Sequence, residues 1–147
     1  MDHELAPVNN IDIDLDLAER VRQAIGTLDV LRGSRAHVDV TVANGHVTLA
    51  GNVQSPMAAA EVGHAAAEMA GAAAVTNHVV DDATLSRRVA VALSTDPRTA
   101  PIGPGYQVAS TFGHLWLVGR FAPEQSSAVT AVCQAVPGVR SVTIKAF

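Results

Sequence analysis

Apolar residues recur at helical spacing near the start of each half of the chain. These positions are Leu17, Val21, Ala24, Ile25 and Leu28, and then Leu85, Val89, Ala92 and Leu93. Residues three and four positions apart share one face of a helix, so each half is predicted to open with an amphipathic helix. Asp16 is expected to cap the first helix, with Glu19 completing a capping box. Asp82 or Thr84 is expected to cap the second helix, and Pro97 to end it.

Between these helices the spacing changes to the alternation of a half-buried strand. The alternating apolar residues are Val38, Val40, Val42, Val47, Leu49 and Val53. Asn44-Gly45 lies at the centre of this stretch, and Asn-Gly is favoured in the type I′ turn, whose two central residues both have positive φ. The pattern therefore predicts a β-hairpin in which Val42 faces Val47 and Val40 faces Leu49.

The corresponding turn of the second half is Phe112-Gly113. A bulky side chain tolerates positive φ poorly, so a different turn remains open there. A second helix follows each hairpin, because Ser55-Pro56 and Pro123-Glu124 suit a first helical turn. Its inner positions are predicted to be Val62, Ala65, Ala66 and Met69, and in the second half Val129, Val132, Cys133 and Val136. Gly71 and Pro137-Gly138 end these helices. Last strands are predicted at residues 75–80 and 139–144.

One seven-residue pattern occurs twice. Residues 45–51 read GHVTLAG and residues 113–119 read GHLWLVG, an offset of 68 residues. Repetition of this kind indicates an internal duplication. The predicted organisation is an acidic, flexible tail at residues 1–13 and repeats at residues 14–80 and 81–147. The predicted fold class is α+β, with two αββαβ repeats that each place two helices on one face of a three-stranded mixed sheet.

Charge and hydropathy narrow the classes of function. Hydrophobic residues make up 48% of the chain, yet no apolar run approaches the roughly 20 residues of a membrane span. The formal net charge of −4 disfavours nonspecific nucleic-acid binding, which depends on Lys and Arg. The sequence starts with MDHELAPVNN, which lacks the basic and then apolar pattern of an export signal. A cytoplasmic location is therefore expected, and envelope association stays open.

Reactive side chains are present, but their spacings do not match known sites. The histidines lack zinc-finger spacing and do not pair four positions apart on a predicted helix. A cluster of His37, His46 and His78 at a sheet edge is the one metal arrangement left to test. Cys133 lies on an inner helical stripe and is expected to be a buried apolar residue. Capping and solubility explain the carboxylates, so the chain is predicted not to be an enzyme and to have no metal or cofactor.

Three local patterns, Val-x-Val, x-Asn-Gly-x-Val-x-Leu-x-Gly and Gly-x-x-x-Val, occur in the predicted order of elements. Together they resemble the BON domain of bacterial osmotic-stress, nodulation and outer-membrane-associated proteins. The first repeat carries them in Val40, Asn44, Gly45, Val47, Leu49, Gly51, Val53, Gly71, Val75 and Asn77. The second repeat carries Gly113, Leu115, Leu117, Gly119, Gly138, Val139 and Val142. It departs from the family at Phe112 and Ile144. The glycines are interpreted as structural residues of turns and strands.

The resemblance implies a noncatalytic binding module that associates with phospholipid surfaces, and in some members with cations or other envelope components, under stress. A second interpretation is a cytoplasmic protein-interaction or self-assembly scaffold that forms homo-oligomers. A third is the binding of a small cation by backbone carbonyls near the turns, which residue identity does not reveal.

Two groups of residues in the second repeat are candidate contact sites. If Leu115 and Leu117 face the core, the neighbouring strand positions face away from it. An exposed apolar cluster there would mark a contact with the other repeat or a second subunit; its residues are Trp116, Val118 and Ala109. Basic and aromatic side chains suit an anionic phospholipid surface. The candidates for that surface are Arg87, Arg88, Arg98, Arg120 and Phe112.

Overall fold

The computed structural model describes residues 6–146, and the chain divides into two compact units after Val79. The helices in the described part are α1 (Ala6–Gly26), α2 (Pro56–Ala70), α3 (Asp82–Thr95) and α4 (Pro123–Gln134). The strands are β1 (His37–Ala43), β2 (His46–Val53), β3 (Val75–Asp81), β4 (Tyr106–Thr111), β5 (His114–Gly119) and β6 (Ser141–Ala146). Each unit thus runs helix, strand, strand, helix, strand.

Each unit has one three-stranded sheet with its second strand in the centre. The strand orders are β1-β2-β3 and β4-β5-β6. In the second sheet, β5 is antiparallel to β4 and parallel to β6. In both units the two helices share one core with a single face of the sheet. The predicted α+β class with two αββαβ repeats is confirmed.

The first hairpin has the predicted register. Val42 pairs with Val47 and Val40 pairs with Leu49, so the large apolar side chains face the helices. Asn44 has a φ of 52° and Gly45 a φ of 79°, as the type I′ turn requires. The alternation and the Asn-Gly pair were therefore sufficient to predict both the turn and the pairing.

The turn of the second hairpin has the same sign of φ at both positions, although its first residue is phenylalanine. Phe112 has a φ of 48° and Gly113 a φ of 88°. The second turn therefore has positive φ at both central positions, like the first, and the different turn that the sequence left open does not form. The Phe112 amide donates a hydrogen bond of 2.8 Å to Oδ1 of Asp82, which holds this backbone in place.

The first helix begins earlier than the sequence indicates. Residues 6–13 of the predicted flexible tail belong to α1, and residues 1–5 lie outside the described part of the chain. Asp16 is therefore not a cap; it lies within the helix and forms an ion pair of 3.5 Å with Arg20. Asp14, within the added part of α1, ties this helix to the hairpin turn, because it accepts hydrogen bonds from the amides of Asn44 and Gly45 at 2.8 and 2.9 Å.

The other helix ends follow the sequence with three corrections. α2 starts at Ser55-Pro56 as predicted, and Ser55 caps it, because its Oγ accepts a hydrogen bond from the Ala58 amide. The cap of α3 is Asp81, and neither Asp82 nor Thr84 as predicted: Asp81 accepts a hydrogen bond from the Thr84 amide, and the Asp82 carboxylate binds the turn. The inner stripe of α2 stops one turn before Met69, which is 40% exposed. Val136 is buried, but it lies beyond the end of α4.

Candidate functional site

The most conspicuous exposed side chain of the second unit is Trp116 in the central strand β5. Its strand neighbours Leu115 and Leu117 are fully buried against the helices, whereas Trp116 is 54% exposed. Because side chains alternate along a strand, Trp116 must lie on the sheet face opposite the helices. Ala109 of β4 and Thr143 of β6 are its pairing partners on either side.

We call this surface the Trp116 face and define it as the outward residues around that side chain: Gln107, Ala109, Trp116, Val118, Thr143 and Lys145. Lys145 is its one charged member. The centre is apolar, because the exposed side chain of Ala109 and the half-buried side chain of Val118 lie next to Trp116. An aromatic centre with few charges is the composition of a protein interface core.

The same place in the first unit is polar. At an offset of 68 residues, Thr41 and Thr48 take the positions of Ala109 and Trp116. The Thr41 hydroxyl donates to the Thr48 carbonyl oxygen at 3.4 Å, and the outward residues of β1 also include Asp39. The two units share a fold but expose different chemistry on this face of the sheet.

The five residues predicted for an anionic lipid surface do not form one patch. Phe112 lies at the turn that leads into β5, and Arg120 follows the opposite end of that strand. Arg98 is already paired, with Nη2 3.0 Å from Oδ2 of Asp96. This hydrogen bond lowers the pKa of Asp96. Arg87 and Arg88 are exposed on α3, and neither forms an ion pair with the described residues.

Two grooves run along the exposed side of α3. Val91 lines both grooves and is 55% exposed. The first groove has a volume of about 480 Å³ and includes Arg87 and Tyr106 in its lining. The second has a volume of about 590 Å³ and is lined in part by Arg88, Asp96, Pro97, Arg98 and Val132. The second groove therefore brings together two of the predicted arginines, next to the carboxylate that neutralises one of them.

The histidines do not assemble into a metal site. His37 pairs with Asn52 at one end of the hairpin, and His46 pairs with Ala43 at the other. These ends are six residue steps apart along β1, about 20 Å at the rise of a β-strand. Across the described residues, no group of three His, Cys, Asp or Glu side chains could hold a metal ion. The alternative of a cluster of His37, His46 and His78 is therefore not formed, because the register places His37 and His46 at opposite ends of the hairpin.

His46 and His114 occupy equivalent positions and make equivalent contacts. Nε2 of His46 lies 2.7 Å from the hydroxyl of Thr76, and Nδ1 of His114 lies 2.6 Å from the hydroxyl of Ser141. In both cases the partner belongs to the third strand region of the same unit. These histidines therefore link the first residue of the central strand to a neighbouring strand.

The pKa values of two neighbouring carboxylates at the start of α3 are shifted in opposite directions. Burial raises the pKa of Asp82, and the charge of Asp81 adds to this effect against the hydrogen bond from Phe112. Burial also opposes ionisation of Asp81, but hydrogen bonds led by the Thr84 hydroxyl outweigh it, so the pKa of Asp81 is lowered. Both carboxylates form hydrogen bonds with nearby backbone amides. The offset of 68 residues between Asp14 and Asp82 is the sequence signal that could have identified their shared role at the hairpin turns.

Cys133 is a structural residue. Its side chain is fully buried between α4 and the rest of the second core. Burial raises the pKa of its thiol to about 11. A nucleophilic cysteine needs the opposite shift, which a nearby positive charge or a helix N-terminus provides. The predicted role of Cys133 as a buried apolar residue is confirmed.

Comparison with solved structures shows how widely the fold is shared. A structure of CdsD, a structural protein of the type III secretion system of Chlamydia trachomatis, matches with a TM-score of 0.66 at 15% identity and covers 90% of this chain. The PrgH periplasmic domain matches with a TM-score of 0.51 at 15% identity and covers 81% of it. The match spans 62% of each of those chains. At this identity the similarity concerns the fold alone.

Sequence comparisons identify the first unit. No curated protein matches the chain significantly. Over the described residues, none of the helices has the length and apolar character needed to cross a membrane. The family model of the BON domain matches residues 13–80, which run from within α1 to the end of the first sheet. Residues 13–80 of this chain are therefore a BON domain.

Proposed function

We propose that this protein is a noncatalytic, self-assembling scaffold module in which a tandem of BON-type units presents surfaces to further copies of the same chain. The observation that carries the proposal is the exposure of Trp116 at the centre of an open sheet face. Tryptophan is among the residues that dominate interface energies when it becomes buried. About half of the Trp116 side chain is in contact with water, and burial of this apolar surface on association is favourable.

The second unit is the other BON-type repeat in this proposal, although the family model matches only the first. Support comes from the equal order of elements and from the equal hairpin registers. Asp14 and Asp82, which both bind the hairpin turn, support it further. In this proposal, the second repeat departs from the family pattern at Phe112 and Ile144 because it makes different contacts from the first.

A scaffold role also agrees with the fold comparison. CdsD is described as a structural protein of a secretion system. A structural role needs surfaces and stable packing instead of a reactive centre. The exposed Trp116 and the inert Cys133 meet that requirement.

Fluorescence and sedimentation test the proposal directly, because Trp116 is the sole tryptophan of the chain. As protein concentration rises, the sedimentation coefficient should increase and the emission maximum should move to shorter wavelength. Trp116→Ala should reduce the increase in the sedimentation coefficient, because it removes association through this face. Val91→Ala removes another exposed apolar side chain, on α3, and should leave association unchanged. Association in which the tryptophan emission stays that of a solvated indole would rule out this face.

An anionic phospholipid surface is the second candidate, favoured by the exposure of Arg87 and Arg88 without ion pairs to the described residues. A basic residue near a charged bilayer contributes about 1 kcal/mol. Replacing both arginines by alanine should therefore weaken cosedimentation with phosphatidylglycerol vesicles roughly 30-fold. Arg98→Ala is the matched control, since Arg98 is already paired. Equal binding to phosphatidylcholine vesicles at all salt concentrations would reject this candidate.

A further inference from the structure

The two units differ in the space between their second helix and third strand. In the first unit, Nδ2 of Asn77 donates to the Ala59 carbonyl oxygen at 3.0 Å and so bridges β3 to α2. Gly63 makes room for this bridge, because a Cβ there would lie 2.7 Å from Nδ2 of Asn77. An asparagine and a glycine thus fill the space between the strand and the helix.

The second unit has lost this bridge and has a groove in its place. The residues equivalent to Ala59, Gly63 and Asn77, 67 positions later, are Ser126, Thr130 and Ile144. These three, with Ala131 and Val142, line a groove of about 510 Å³ between α4 and β6. The groove combines the apolar side chains of a strand with the hydroxyls of a helix.

The strand beside this groove is an edge strand of its sheet. The order β4-β5-β6 leaves one side of β6 without a strand neighbour. Such an edge presents backbone donors and acceptors that can pair with another extended segment. An edge strand next to an apolar groove is the arrangement by which peptides bind through strand addition, with alternate side chains entering the groove.

One segment of this chain has the pattern of the missing strand. Residues 11–15 read Ile-Asp-Ile-Asp-Leu, a strict alternation that is typical of a half-buried strand. In α1 its three apolar side chains are poorly covered, with Ile11 61%, Ile13 59% and Leu15 64% exposed. Isoleucine and aspartate are also weaker helix formers than leucine or alanine. The helical form of this segment therefore gains little from burial or from propensity.

We propose that residues 11–15 of one copy add as a fourth strand to β6 of a second copy. Five residues in extended form span about 17 Å, which matches the length of β6. Their apolar side chains enter the groove beside Val142 and Ile144, and Asp12 and Asp14 then face outward near Lys145. The formal charges of the two parts are complementary. Residues 1–80, which contain the segment, carry a net −6, and residues 81–147, which contain β6, carry a net +2.

Asp14 opposes this exchange in the free chain. Its carboxylate accepts the Asn44 and Gly45 amides only while residues around it are helical and close to the turn. Strand addition breaks both hydrogen bonds, so removal of the carboxylate should favour the exchange. Asp14→Ala and Ile13→Asp are therefore expected to act in opposite directions.

The proposal deepens the scaffold function and uses a different surface from the Trp116 face, so the two can fail separately. A fluorescently labelled peptide of residues 9–17 is titrated with the full-length Trp116→Ala variant. We expect saturable binding and slower hydrogen exchange of the β6 amides. The double variant Thr130→Gly/Ile144→Asn restores the pair found in the first unit and should weaken binding at least tenfold, whereas Thr130→Gly alone should not.

In the full chain with Trp116 present, Asp14→Ala should strengthen self-association and Ile13→Asp should weaken it. Met57→Asp is the matched control, because Met57 is 66% exposed and lies outside the segment. Absence of saturable peptide binding, or equal binding by the groove variants, overturns the strand exchange but leaves the Trp116 face intact. Peptide binding in a chain whose self-association is unchanged by Trp116→Ala overturns the Trp116 face as an assembly surface and retains the strand exchange.

Discussion

The carboxylate of Asp82 accepts a hydrogen bond of 2.8 Å from the Phe112 amide, across 30 residues of sequence. Asp14 makes the same contact with Asn44 at the equivalent offset of 68. In both units, therefore, a carboxylate near the first helix holds the positive-φ residue of the hairpin turn. This hydrogen bond fixes the hairpin relative to the helix in addition to the packing of the core.

Asp82→Ala is expected to destabilise the second unit by about 1 kcal/mol, because it leaves the Phe112 amide without its acceptor, and burial of the carboxylate offsets part of the hydrogen bond. The loss also leaves Phe112 in a conformation that L-residues adopt at a cost. Asp82→Asn retains an oxygen acceptor and should lose less than half as much. Urea unfolding of the three proteins measures the difference. Equal losses for both variants would assign the effect to charge at the start of α3 instead.

The acid stability of Asp82→Asn should also differ from that of the native chain. The pKa of Asp82 is raised, so its contribution is fully present below the ordinary value of 3.8 and declines as pH rises through its folded pKa. The pKa of Asp81 is lowered, so its contribution is present above 3.8 and is lost as pH falls. In the native chain, the pH dependence of stability due to Asp82 therefore opposes the one due to Asp81.

Asp82→Asn removes the first dependence and leaves the second. Its free energy of unfolding should therefore fall more steeply than that of the native chain between about pH 5 and pH 3. Chemical denaturation at half-unit intervals of pH checks the slope. Parallel curves for the two proteins would contradict the assigned directions of the two pKa shifts.

Local patterns predicted most of the fold because each element has a short-range signal. The alternation around Asn44-Gly45 determined a register that the structure confirms. The helical state of the residues around Asp14 was missed in part because this carboxylate binds a turn 30 residues away, and spacing rules describe only neighbouring residues. The turn at Phe112 was left open for the same reason, since a long-range carboxylate compensates for a poor local residue.

The candidate sites were less predictable, because side-chain exposure depends on what the fold leaves uncovered. Alternation along β5 was enough to place Trp116 on the outer face of the sheet. The five lipid-surface candidates were grouped by residue type, and the structure separates them along the second unit. The ion pair between Arg98 and Asp96 could have been suspected from their spacing of two residues. The groove beside β6 needed the comparison of the two units.

Two glycines of the first unit should respond very differently to alanine. At Gly51, which has a φ of 138°, a Cβ would overlap the His37 carbonyl oxygen on the paired strand. Gly51→Ala should therefore destabilise the first unit by roughly 3 kcal/mol or more. Gly33 has a φ of 74° and open space around the Cβ position, so Gly33→Ala should cost only about 1 kcal/mol. Denaturant midpoints compare them, and equal losses would mean that φ alone decides.

Cys133 provides a chemical probe of the second core. Its thiol pKa of about 11 leaves about one thousandth of the side chain ionised at pH 8, and burial also blocks access. Iodoacetamide should therefore modify Cys133 only after the second unit opens, and the rate should rise with urea in parallel with loss of that unit. The protein unfolded in urea is the positive control and should react at the rate of a free cysteine. Rapid modification of the folded protein at pH 8 would show that the second core is open to solvent at α4.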